Sequence, residues 1–233
     1  MQNKILSVIS LPIPSQWLFS EISPNSNVLL WKLHRFFLKN TPTWHELVLV
    51  NSHSCKVKYY AEGKYFYVFK IFGSSRLLKI SRKEFYNKCD NANEYRTEQS
   101  CLIMNQLADK GLAPKCEYIG GCTMIVDHAG AQLTLEKANI RDCIINFFSQ
   151  FKAWSLEHGL VIIDLNENNW CFKDGQLLLV DIDFEKTCRL QDVRTHPNVE
   201  KRIDVKTYSD DSSALAAFLK EEELILLKYL NLA

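Results

Sequence analysis

A chain of 233 residues, 47% hydrophobic and 12% aromatic, has enough apolar material for a sizeable core, which excludes disorder as the default and leaves room for one large domain or two lobes sharing a cleft. Its 28 Lys and Arg nearly balance 27 Asp and Glu, so no field of one sign selects nucleic acid or an anionic membrane as the main partner. Eight cysteines, at 55, 89, 101, 116, 122, 143, 171 and 188, form no C-x-x-C pair and no zinc-ribbon spacing, and they read as free thiols in a reducing cytosol.

Met1–Phe19 carries one Lys and a broken apolar run, too short and too weakly charged for a signal peptide. No later stretch approaches the roughly 18 uninterrupted apolar residues of a membrane span. A soluble chain is expected. Residues 46–72 read as strands, Glu46 to Asn51, Cys55 to Tyr60 and Lys64 to Phe72, the last two joined by Ala61-Glu62-Gly63 in an antiparallel meander. From about 81 to 110 the period becomes helical, with Phe85, Tyr95, Ile103 and Leu107 as apolar positions and Gly111 as the stop. Short strands are expected at Cys116 to Tyr118 and Thr123 to Val126. A long buried helix follows over Asn139 to His158, with Gly159 as its C-cap.

Val161 to Asp164, the polar loop Asn166-Glu167-Asn168-Asn169, and the runs Trp170 to Phe172 and Gln176 to Ile182 come next, hinged on Asp174-Gly175, a strong hairpin signal. The remainder is charged and then helical, with apolar stripes at Ala214 to Leu219 and Leu224 to Leu232.

Transfer of a phosphoryl group from ATP to a hydroxyl needs a carboxylate to orient and deprotonate the acceptor, oxygen ligands for Mg²⁺ and a cation on the phosphates. Asp164 followed by Asn169, with a hairpin returning at Asp181, supplies the first two. Asp183, two residues on, faces the same side of an extended segment and stays open as the metal ligand, Asp181 being preferred because it directly ends the apolar strand. Lys70, in Tyr67-Val68-Phe69-Lys70 on the strand face of Phe66, Val68 and Phe72, is the candidate cation. Its helix partner is Glu98 or Glu94, with Glu98 preferred because Leu102 one turn further marks a packed face. His128 and His158 read as structural, and Lys201-Arg202 with Lys206 as a solvated face, the alternative being a site for an acceptor phosphate or anionic headgroups.

In this order Lys70, Glu98, the loop Asp164-Leu165-Asn166-Glu167-Asn168-Asn169 and Val180-Asp181 resemble the protein-kinase-like superfamily over about 46 to 190. The compact size and Lys64-Tyr65-Phe66-Tyr67-Val68-Phe69-Lys70-Ile71-Phe72 look most similar to bacterial lipopolysaccharide core heptose kinases. The resemblance implies a two-lobed α+β fold: an extension over 1–45, an N-lobe of antiparallel sheet and helix over 46–126, and a mainly helical C-lobe over 127–233. It implies ATP and Mg²⁺ as cofactors, a small-molecule or glycan acceptor, no nucleic acid partner, and a cytoplasmic location with room for peripheral contact with the inner membrane. Three features depart from the pattern. No G-x-G-x-x-G covers the phosphates, the first turn being Asn51-Ser52-His53-Ser54; Ile162-Ile163 replace the His-Arg before the catalytic Asp; and no A-P-E follows Asp181. The alternatives are an aminoglycoside-type small-molecule kinase and an inactive pseudokinase acting as a binding module.

Overall fold

The computed structural model describes residues 45–48, 54–63, 66–81, 91–120, 122–132 and 139–232. The extension up to residue 44, most of the Asn51–Ser54 turn and the stretch containing Phe85 lie outside them. Two compact units are resolved: one holds the described residues up to Glu94 together with Ile119–Val126, the other Tyr95–Tyr118 and the chain from Asp127 onward.

Six strands form the sheet of the first unit, β1 (His45–Val48), β2 (Ser54–Glu62), β3 (Phe66–Ile71), β4 (Arg76–Ser81), β5 (Cys116–Gly120) and β6 (Thr123–Asp127), in the order β1-β2-β3-β4-β6-β5; β5 gives this unit its last two residues. The first four are an antiparallel meander. Alternation along β3 and β4 puts Tyr67, Phe69, Leu78 and Ile80 on one face with Val57, where they are buried against Tyr59, Ile71, Ile119 and Ile125. The opposite face carries Val68 and Lys79, directly paired, and Lys70 opposite Leu77.

Strand β4 is a correction to the sequence reading, which left 73–80 unassigned and began a helix near 81. Gly73, at φ 72, reverses the chain where an L side chain is disfavoured, and the Ser74 amide donates to the Ile71 carbonyl at 3.2 Å. Arg76-Leu77-Leu78-Lys79-Ile80-Ser81 then pairs with β3, and the Ser81 amide donates to the Cys122 carbonyl at 2.9 Å beside β6. The cysteine reading needs a correction too. Cys101, Cys116, Cys143, Cys171 and Cys188 carry no disulfide, but Cys122 is disulfide-bonded.

The second unit is mainly helical. Its helices are α1 (Asn91–Ala108, from Tyr95 on), α2 (Ile140–His158), the short α3 (Pro197–Glu200) and α4 (Asp211–Tyr229). Although α1 was expected to belong with the sheet, from Tyr95 onward it groups here, because its inner face is tied down by residues of this unit. The Asn105 side chain brackets Cys116, its Nδ2 donating to the carbonyl at 2.7 Å and its Oδ1 accepting from the amide at 2.8 Å. Helix α4 runs unbroken through the first apolar stripe read from sequence and into the second as far as Tyr229. Its intervening acids Glu222 and Glu223 are buried, tolerated because each meets a cation, Arg202 at 2.8 Å and Lys220 at 2.6 Å.

Helix α2 ends at Gly159, φ 64, as expected of a left-handed cap. Phe147, Phe151, Trp154 and His158 recur every three or four residues and stack one upon the next, with centroids 5.6, 5.6 and 5.0 Å apart. His158 is thus part of the packing, its Nδ1 3.0 Å from the Trp154 carbonyl. Strands β7 (Ala131–Gln132), β9 (Trp170–Lys173) and β10 (Gln176–Leu179) make a second sheet in the order β10-β9-β7. Asp174 and Gly175, both at positive φ, form the turn that the Asp-Gly signal predicts. Gly130, φ +84, lies so near β9 that a Cβ would sit 2.8 Å from the Phe172 carbonyl oxygen. Gly130→Ala is therefore expected to cost more than about 1 kcal/mol, read as a lowered urea midpoint with unchanged slope.

Candidate active site

The loop between β8 (Leu160–Ile162) and β9 is organised by its own side chains. Asn166 caps the 3₁₀ turn Glu167–Asn169, its Oδ1 accepting from the Asn168 amide at 3.1 Å, while its Nδ2 donates to Asp164 Oδ1 at 2.8 Å. One side chain thus fixes the turn and orients the Asp164 carboxylate. Asn169 is buried and turns its amide nitrogen inward, Nδ2 donating to the Asp164 carbonyl at 3.0 Å. A coordinating role would use its remaining oxygen. The Val180 amide donates to the Asn169 carbonyl at 2.8 Å, bringing Asp181 back beside the loop. Asp164, Asn169 and Asp181 are thereby joined through two hydrogen bonds across 17 positions of sequence.

Underneath, Trp170 is fully buried with its ring 4.9 Å from Phe147 and perpendicular to it, so the residue after Asn169 is anchored on α2. Ile162 and Ile163, which replace the expected His-Arg, are buried as well. Their segment pairs with β11 (Thr187–Arg189), Thr187 opposite Ile162, and the Ile163 amide donates to the Lys186 carbonyl at 2.8 Å. Apolar burial and a two-stranded ladder hold the chain before Asp164.

The two candidate metal carboxylates stand in different surroundings. Both Asp183 oxygens are engaged by Arg96, Oδ1 accepting from Nε at 2.7 Å and Oδ2 from Nη2, and Oδ1 also accepts from the Glu185 amide at 3.1 Å. Asp183 is therefore a capping and ion-pairing residue. Its neighbour Asp181, the other candidate, is half-buried after the hairpin. Glu222, on α4, lies within the field of Asp164: burial raises its carboxyl above the ordinary range, Arg202 opposes that rise, and the Glu221 and Asp164 carboxylates add to it. Among the described residues no group of three or more His, Cys, Asp or Glu could hold a metal ion. Mg²⁺ has no need of one, since it keeps waters and takes one or two protein ligands together with nucleotide phosphates.

Lys70 is exposed on β3. The register shift between Tyr59 and Ala61 leaves Tyr60 as the extra residue of a bulge, and Lys70 Nζ sits 4.7 Å from the centroid of that ring. Glu98 and Leu102 are exposed too, so the packed face of α1 is the one bearing Thr97, Ser100, Cys101 and Met104 instead. In the same unit as Lys70, Lys79 on β4 and Glu94 at the start of α1 are half-buried. Lys79 went unrecognised in sequence because its strand did. Asn166 went unrecognised as well, although an Asn two residues after the candidate base was a readable capping signal. His128 serves the chain, its Nδ1 accepting from the Gly130 amide at 3.1 Å. The 200–206 segment lines a shallow concavity of about 510 Å³ in which Glu200 and Asp204 stand among Lys201, Arg202 and Lys206.

No family model and no curated protein matches the chain. Among solved structures it is similar to the Rio2 kinase of Chaetomium thermophilum in its ADP/Mg²⁺-phosphoaspartate complex, at 18% identity over 69% of this chain and 53% of that one, with a TM-score of 0.38. It is also similar to the choline kinase LicA of Streptococcus pneumoniae, at 14% identity over 90% of this chain and 91% of that one, TM-score 0.35. LicA with AMP gives 13% over the same shares, TM-score 0.39. The chain spans about half the length of the Rio2 structure it matches. Likeness this distant transfers no residue role, and the assignments here rest on the chain's own geometry. No helix among the described residues is long and apolar enough to cross a membrane.

Proposed function

We propose that this chain is an ATP-dependent phosphotransferase of the protein-kinase-like type, acting on a hydroxyl of a sugar or glycan. The observation that carries the reading is the hydrogen-bonded run from Asp164 through Asn169 to Asp181, with Asp183 committed to Arg96. Asp164, its carboxylate oriented by Asn166, accepts the proton of the attacking hydroxyl. Asn169 and Asp181 offer the hard oxygen donors that suit Mg²⁺, which when bound neutralises charge on the transferring phosphoryl group. The absence of an A-P-E platform favours a compact acceptor over a peptide, and a lipopolysaccharide core heptose is the acceptor class to screen first, at the cytoplasmic face of the inner membrane.

For the phosphate-binding cation we assign Lys79 in place of Lys70, with Glu94 ahead of Glu98. Both strands are interior to the sheet, but a lysine that must hold phosphates should be shielded from water, as half-buried Lys79 is, whereas Lys70 is exposed and faces the Tyr60 ring. Lys79→Met is expected to lower kcat/KM for ATP about 100-fold, as loss of one charge-stabilising group does, and Lys70→Met to leave it nearly unchanged. A larger loss in the Lys70 variant would return the role to Lys70. The reading as a whole is tested by Mg²⁺-dependent thermal stabilisation with ATP followed by acceptor screening; no stabilisation of the wild type would overturn it.

A further inference from the structure

Downstream of Asp181 the chain is pinned to α1 at four points. Arg96 makes a two-pronged pair with Asp183, both side chains being largely buried, at 15% and 12% exposure. Its third nitrogen, Nη1, reaches Glu185 Oε2 at 2.7 Å. Between those acids, the Phe184 amide donates to Ser100 Oγ at 2.9 Å, and the Phe184 ring meets Tyr95 edge-on at 5.8 Å. Arg96 and Ser100 are one helical turn apart, so a single stripe of α1 receives three consecutive residues, Asp183, Phe184 and Glu185.

The other side of Asp181 is held independently, by the hairpin and the Val180 to Asn169 hydrogen bond. Asp181 and Ile182 thus span the gap between two fixed points, and Ile182 is itself buried. Removing either point frees one end of the span.

We propose that Arg96 is a positioning residue for Asp181, setting the placement of that carboxylate for Mg²⁺ by clamping Asp183 and Glu185 to α1. Only a guanidinium fits this task, because its planar fork takes both oxygens of Asp183 while a further nitrogen reaches Glu185; a lysine ammonium is a point charge without that fork. The proposal rests on the phosphotransferase reading, since it presumes that Asp181 takes the metal.

The test uses the full chain as wild type, Arg96→Met and Arg96→Lys. Two quantities are measured: the Mg²⁺ concentration that half-saturates ADP-dependent thermal stabilisation, and amide exchange at Phe184. In Arg96→Met the Mg²⁺ midpoint is expected to rise tenfold or more, the range of about 10–100-fold seen for groups that hold metal ligands in place. Phe184 exchange should accelerate, while ADP binding in EDTA stays near wild type; Arg96→Lys should fall between the two. If Arg96→Met does not fold, the Lys variant carries the comparison with a smaller shift. An unmoved Mg²⁺ midpoint with faster Phe184 exchange would reduce the clamp to a structural contact and overturn the proposal. Absence of Mg²⁺-dependent ADP binding in the wild type would overturn the phosphotransferase reading and this role with it, and that failure is seen before any variant is compared.

Discussion

Asp164→Asn is expected to lower kcat by roughly 10² to 10⁴-fold, the span that a positioned general base supplies, while the affinity for Mg²⁺ and ATP stays near wild type. The two effects separate because Asp164 contributes to the site in two ways. Its main-chain carbonyl holds Asn169, and that hydrogen bond survives substitution of the side chain. Its carboxylate, oriented by Asn166, is the part that meets the acceptor. Asparagine keeps the shape and can still bond Asn166, so the measurement isolates proton acceptance from loop structure. Full turnover in Asp164→Asn, with acceptor phosphorylation followed directly, would remove the base from the mechanism. A parallel loss of nucleotide affinity would instead mean that the carboxylate holds the loop together.

Much of this site was legible because its parts are local. Asp174-Gly175 between two apolar runs, Gly159 after an aromatic helix and an Asn-rich loop between them each satisfy a backbone rule within a few residues. They bring Asp164, Asn169 and Asp181 together without help from the rest of the chain. What escaped is either weakly patterned or non-local. Strand β4 does not alternate cleanly, since Leu77 and Leu78 are adjacent and Lys79 interrupts the apolar run, so its identity as a strand comes from pairing with β3 and not from a period of its own. Lys79 was overlooked with it. Spacing leaves both Asp181 and Asp183 as candidates, because the group that engages Asp183, Arg96, lies 87 residues earlier. For the same reason Glu98 looked better placed than Glu94: Leu102 is apolar, yet it is half-exposed on the outer face of α1.

Asp181→Ala is expected to weaken Mg²⁺-dependent ADP binding more than about 100-fold, beyond what disturbing a supporting group costs, and to abolish detectable turnover. Removing a coordinating carboxylate takes away both a ligand and the negative charge that compensates the cation, whereas the hairpin backbone survives. The Val180 amide still reaches the Asn169 carbonyl, and the Arg96 clamp still holds Asp183. Titration calorimetry with ADP at fixed Mg²⁺, then in EDTA, reads the effect on the ligand site. The comparison with Asp183→Asn carries the argument further. That variant retains the Asp181 ligand but weakens the pair with Arg96, so it should shift the Mg²⁺ dependence less than Asp181→Ala. A reversed order, with Asp183→Asn losing the metal and Asp181→Ala keeping it, would exchange the two roles and make Arg96 the counter-ion of the metal ligand itself.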